Sequence, residues 1–224
     1  MLLSDKVRKQ IRARLAEMER PVRLIHFTQG LSCNSCEPTQ QLLKEVAALS
    51  DKLTLEVHNL VLEKEEAARL GIDKVPATVV ANEKDHRIRL YGLPAGYEFA
   101  ILLEDIVDVS RGRTGLDSET RERLQTLTRP VHLQVFVTST CPYCPAAARL
   151  AHQLALESDL VTADMIEATE YPDLVAKYGV QGVPKTIVNE AHAIEGALPE
   201  PYLVEQIVQA ANVPETAGAG NSRK

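Results

Sequence analysis

The feature that most constrains this chain is that it is written twice, with a pair of cysteines at the same place in each copy. Cys33-Asn34-Ser35-Cys36 and Cys141-Pro142-Tyr143-Cys144 lie 108 residues apart. The same offset carries Leu42 onto Leu150, Gly71 onto Gly179, Val75-Pro76 onto Val183-Pro184 and Thr78 onto Thr186. Ahead of the cysteines the offset is 109, taking Arg20-Pro21-Val22 onto Arg129-Pro130-Val131 and Phe27 onto Phe136. The first copy therefore carries one extra residue within 28–32. Near the ends, 102–107 returns as 203–208. A period this long is a tandem of small domains rather than a solenoid, and 224 residues accommodate two.

Each copy has the same layout. Val7, Ile11, Leu15 and Met18 mark one face of an opening amphipathic helix; its counterpart follows the N-cap candidate Asp117-Ser118 and runs to about residue 128. Strands are expected at 22–28 and 131–138. Each cysteine pair then opens a helix, with Leu42, Leu43, Val46 and Ala47 recurring as Leu150, Ala151, Leu154 and Ala155. Further expectations are a strand at 53–57, a helix at 63–70, buried strands at 79–81 and 187–188, a strand at 87–91, and closing helices ending near 107 and 208. Strands alternating with helices make the fold class α/β. The polar, glycine-bearing stretch 110–115 divides the chain into units 1–111 and 112–212, and the tail 213–224 is expected to be disordered.

All four cysteines fall in the two pairs, which excludes a disulfide-stapled scaffold. A thiol at a helix N-terminus meets unpaired N–H groups and the positive end of the helix dipole, so its pKa falls and the attacking thiolate forms. Cys33 and Cys141 are the expected nucleophiles, and Cys36 and Cys144, one turn on, resolve the mixed disulfide. The rival reading is a zinc site, for which C-x-x-C is also a ligand pair. Against it, each pair follows its own strand and opens its own helix, the setting of a redox motif. Pro76 and Pro184 each lie 40 residues after the second cysteine of their pair, each after a valine and two residues before a threonine.

This strand, C-x-x-C, helix and Val-Pro-x-Thr order resembles the thioredoxin fold over roughly 20–109 and 129–210. The tandem resembles the two-unit protein disulfide oxidoreductases of thermophilic archaea and bacteria, the glutaredoxin-like domain proteins, and Cys-Pro-Tyr-Cys is the glutaredoxin sequence at such a site. The resemblance implies cis bonds at Pro76 and Pro184 facing the sulfurs. It implies that Val75 and Val183 offer backbone to an extended substrate, and that both units pack into one continuous sheet. It further implies oxidation, reduction and isomerisation of protein disulfides, with electrons from a thioredoxin-reductase-like flavoprotein. A role as thioredoxin-like donor to a peroxiredoxin is the alternative, and a tandem chaperone with vestigial dithiols is the reading from another class. Two thioredoxin features are missing: there is no Trp, and neither strand leading to a cysteine pair holds an Asp or Glu. The turns after the proline strands lack the glutaredoxin glutathione motif, so protein dithiols are the favoured substrates.

The two sites are not equal. Glu37 follows Cys36 and disfavours a thiolate, whereas Pro142 and Pro145 stiffen the second loop and Tyr143 offers an aromatic surface to substrate. Cys141 is therefore expected to be the more acidic nucleophile. The net charge of −6 argues against nucleic acid as a partner. No apolar run spans a membrane, and no secretory signal opens the chain, so the cytoplasm is the expected location. Without G-x-G-x-x-G or G-x-x-x-x-G-K, no bound dinucleotide, flavin or other cofactor is expected. The six histidines show no metal spacing. His26 reads as a packed or solvated strand residue, and His152 lies too far along its helix to serve Cys141. The acidic run at 63–66 and the basic face of the first helix read as solvated surface.

Overall fold

A computed structural model describes residues 2–212; the expected tail at 213–224 lies outside the described residues. In chain order the elements are α1 (Asp5–Leu15), β1 (Val22–Thr28), α2 (Cys36–Ala47), β2 (Leu53–Asn59), α3 (Lys64–Arg69), β3 (Ala77–Ala81), β4 (Asp85–Tyr91) and α4 (Tyr97–Arg111). Then come α5 (Ser118–Gln125), β5 (Val131–Val137), α6 (Cys144–Glu157), β6 (Val161–Glu167), α7 (Pro172–Lys177), β7 (Lys185–Val188), β8 (His192–Glu195) and α8 (Glu200–Asn212). The second copy thus repeats the first element for element.

The eight strands form one sheet in the order β2-β1-β3-β4-β6-β5-β7-β8. Strand β1 runs parallel to β2 and antiparallel to β3, and β5 stands likewise to β6 and β7. The copies join where β4 lies parallel to β6, Arg89 opposite Asp164. Following the directions across the sheet, β1 and β5 run the same way, so both cysteine pairs sit at one edge. One apolar cluster contains Leu24, Leu43, Ile101, Leu133, Leu154 and Ile207, so α2, α4, α6 and α8 cover one face. On the other face Ile25, Phe27 and Phe136 meet Ala67 of α3, Leu70 just past its end and, more peripherally, Leu174 and Val175 of α7. The alternation of strand side chains between these two clusters is the period-two signature of a sheet covered on both sides.

The junction is held by charge as well as by backbone. Arg89 Nε donates to Asp164 Oδ1 at 2.7 Å, and the same guanidinium donates to the carbonyl of Gly71 at 2.8 Å. His132 Nε2 stands 2.6 Å from the other oxygen of Asp164. Asp164 is buried, and its hydrogen bond with His132 and the charge of Arg89 hold its pKa down against the opposing effect of burial. On the opposite face α4 meets α6: Arg149 pairs with Glu104 and Asp108, and His152 Nδ1 lies 2.7 Å from Asp105 Oδ2.

Boundaries move modestly from the sequence reading. The helix starting at 118 ends at Gln125 rather than near 128, and Met18 is buried beyond the end of α1. The extra residue of the first copy is absorbed in the loop before Cys33, where Ser32 adopts a left-handed φ of 57°.

Candidate active site

Both cysteine pairs are disulfides, each with Cα atoms 5.5 Å apart. In each, the first cysteine lies just before a helix and the second is its first residue. Val75-Pro76 and Val183-Pro184 are both cis, as the resemblance implied. The two pairs stand at the ends of β1 and β5, with β3, β4 and β6 between them. At about 4.8 Å per strand they cannot share one tetrahedral ion.

The second site is assembled closely. Cys144 N donates to Cys141 Sγ at 3.1 Å, a helix N-terminal amide aimed at sulfur, and the same sulfur lies 3.7 Å from the carbonyl of Val183. Cys141, Cys144 and Pro184 are buried, Val183 is half-buried, and Tyr143 is exposed. The cysteines, the cis proline loop and the aromatic residue singled out in the sequence are thus placed together.

The first site is more open. Cys33 is half-exposed above a buried Cys36, and Leu31 beside them is 83% exposed. Pro76 is buried and Val75 half-buried. The loop is fixed through its middle: the carbonyl of Ser35 accepts from Thr39 Oγ1 at 2.7 Å, and its hydroxyl donates to the carboxylate of Glu170. The carbonyl of Pro76 accepts from Gly92 N at 3.0 Å and from the hydroxyl of Tyr171 at 3.1 Å. Glu170 and Tyr171 belong to the second copy, so the first site is finished by residues from across the junction.

Sequence reasoning found no acid in the strand leading to either pair, and beside the pairs only Glu37, which follows Cys36. The structure supplies acids from elsewhere. Glu98, in the first turn of α4, is fully buried, with neither carboxylate oxygen hydrogen-bonded. Burial, together with Glu167 and Glu170, pushes its pKa up to about 9. The start of α4 rests on the second site's loop: Tyr97 N donates to the carbonyl of Ser139 at 3.0 Å, and Gly96, with φ +56°, sits so near that carbonyl that a Cβ would collide with it. An acid inside the apolar run Tyr97-Glu98-Phe99-Ala100-Ile101 was the available signal.

Under the first site lies His26, fully buried, with Nδ1 3.2 Å from Thr78 Oγ1 and Nε2 unpartnered. Burial lowers its pKa to about 4, although contacts with the backbone of Ala77 and Cys36 oppose this. It is packed, not solvated. In the second copy Val135 takes its place.

Comparison with known proteins places this arrangement. A family model described as a thioredoxin domain matches residues 131–209. A protein disulfide oxidoreductase from Aeropyrum pernix K1 superposes with a TM-score of 0.88 at 32% identity, over 94% of each chain. The alkylhydroperoxide reductase AhpF from Enterococcus faecalis superposes with a TM-score of 0.86 at 23% identity, over 92% of this chain and 100% of that one, a likeness of fold. In sequence, the corresponding alkyl hydroperoxide reductase protein of Xanthomonas campestris pv. phaseoli is 24% identical over 92% of this chain and 36% of its own. The chain spans only 28–39% of the length of the first curated relatives it matches.

Proposed function

The chain belongs to the protein disulfide oxidoreductases, enzymes built from thioredoxin folds, and from that premise we propose how its two cysteine pairs, in units 1–111 and 112–212, do the work. The observation that carries the reading is the second site: a sulfur at a helix N-terminus, 3.1 Å from an amide donor and 3.7 Å from the carbonyl before a cis proline.

In the reducing direction the Cys141 thiolate attacks a substrate disulfide. One substrate sulfur leaves as thiolate and a mixed disulfide remains. Cys144 then attacks Cys141 Sγ, closing the enzyme disulfide and releasing the second substrate thiol; two electrons pass to substrate. Cys33 and Cys36 act in the same order. Oxidation is the reverse, and isomerisation stops at the mixed disulfide. The substrate chain lies against Val75 and Val183, with Leu31, Tyr97 and Tyr143, all exposed, as its apolar contacts. Glu98, protonated through neutral pH, is a buried neutral acid at the start of α4, the helix whose first amide donates to the carbonyl of Ser139 in the loop before Cys141.

Substrates are protein dithiols and disulfides. The electrons come from a flavoprotein reductase of the thioredoxin reductase kind. A second reading, donor to a peroxiredoxin, is favoured by the alkyl hydroperoxide reductase relatives that align over most of the chain. No helix among the described residues is long and apolar enough to cross a membrane, and the cytoplasm is the compartment we assign.

The test is reduction of insulin disulfides by the full chain with dithiothreitol, each pair followed by alkylation and peptide mass. Both pairs should cycle, and Cys33→Ser/Cys141→Ser should abolish turnover. Turnover surviving in that double variant overturns the reading in favour of a binding module.

A further inference from the structure

Glu170 is joined to the interior of the first cysteine loop. It comes from the segment between β6 and α7, in the second copy. One carboxylate oxygen accepts from the Ser35 hydroxyl, the other from Leu93 N at 2.7 Å. Its own N–H donates to Glu167 Oε2 at 3.1 Å. The approach is close enough to demand glycine opposite: a Cβ on Gly92, where φ is +103°, would lie 2.7 Å from Glu167 Cβ and 3.1 Å from Glu170 Oε1.

The repeat shows that this link has no counterpart. The 108-residue offset takes Ser35 to Tyr143, which is 71% exposed, and Glu170 to Leu62, which is 81% exposed. The second site therefore receives neither the hydroxyl nor the carboxylate at these positions. A carboxylate of the neighbouring unit bonds to the interior of the first cysteine loop, and the repeat offers none to the interior of the second at the matching positions.

We propose that Glu170 is the positioning residue that sets the redox poise of the Cys33–Cys36 pair, making it the more reducing of the two sites. The inference rests on that pair cycling. Three effects act in one direction. A carboxylate beside the loop disfavours the Cys33 thiolate. By taking the Ser35 proton it denies the thiolate a donor from within the loop. And the Ser35–Glu170 bond is made in the disulfide form, anchoring the loop in the geometry that form requires. Each lowers the stability of the dithiol relative to the disulfide, and a site whose reduced form is less stable has the lower potential.

The experiment titrates the parent chain, Glu170→Gln, Ser35→Ala and the double variant in a dithiothreitol redox series. Each pair is quantified separately by alkylation and peptide mass, so the second site is an internal control. In Glu170→Gln the first site should move about tenfold toward dithiol, about 30 mV, and Cys33 should alkylate at lower pH. The second site should stay within about twofold. Ser35→Ala breaks the link from the other end without altering the second copy. It should shift the first site the same way, with the double variant moving no further than the larger single one. A first site unmoved in both single variants, or both sites moving equally, overturns the proposal while leaving the exchange function standing. A parent chain whose Cys33–Cys36 pair does not cycle refutes the functional reading of that pair, and the proposal with it.

Discussion

The two halves share a backbone plan and differ in what surrounds the sulfur. In the second unit the nucleophile candidate is buried, faces an amide 3.1 Å away and lies against its own proline loop. In the first, Cys33 is half-exposed, its loop is pinned by an acid of the other unit, and a neutral, desolvated His26 lies below. Both sites take contacts from across the junction, but of different kinds: the backbone of Tyr97 meets the loop before Cys141, whereas the carboxylate of Glu170 reaches the interior of the first cysteine loop. Duplication preserved the elements that make a thiolate. The surroundings that tune it diverged, because each copy acquired a neighbour on a different side.

The sharpest test of this comparison removes one nucleophile at a time. Cys141→Ser should abolish exchange at the second site and reduce turnover by several orders of magnitude if that site dominates, whereas Cys33→Ser should leave most of it. Insulin reduction rates decide, and the reverse ranking would invert the assignment of the stronger site.

Next in size is the junction. Arg89→Leu strands Asp164 in a buried setting with His132 as its remaining side-chain partner. Breaking a buried pair from one side costs about 3–5 kcal/mol. The loss should appear as one denaturant transition shifted to lower midpoint. Two transitions, one per unit, would mean the copies fold independently.

A graded, pH-dependent effect concerns Glu98. Its carboxyl ionises near 4.5 when unfolded and near 9 when folded. Between those values the unfolded chain holds fewer protons, so stability falls as pH rises, by at most about 1.4 kcal/mol per pH unit. The contribution is whole below 4.5. Glu98→Gln should flatten this slope in melts from pH 5 to 9; an unchanged slope would show that the pH dependence comes from another group.

The mildest prediction exchanges His26 for its counterpart. His26 titrates near 4 in the fold against 6.5 unfolded, so its contribution is present above 6.5 and lost as pH falls toward 4. His26→Val should cost little at pH 7 and narrow the gap between melting temperatures at pH 7 and pH 4.5. An unchanged gap would show that acid sensitivity has another source.

The repeat made most of the fold legible. Equal offsets placed both cysteine pairs, both cis prolines and the strands on either side of them. What it could not place were contacts between copies. Glu170 maps to Leu62, so periodicity points away from its role, and the Arg89–Asp164 pair joins residues that occupy different positions in the repeat. Strand β8 is four residues long with only Ile194 buried, too short for alternation to register. Glu98 was hidden for another reason: an acid in the first turn of a helix is usually a solvated partner of the dipole, and only packing reveals that this one is enclosed.

The shared edge of the sheet sets a length scale for traffic between the sites. Four strand spacings separate β1 from β5, about 19 Å, while a sulfur must come within about 2 Å of another to bond. Within one chain the dithiols are therefore out of reach of each other, and a pair of electrons crosses from one to the other only aboard a visiting thiol. About six residues of extended polypeptide cover the same gap, so a client with cysteines at that spacing can be held by both sites at once.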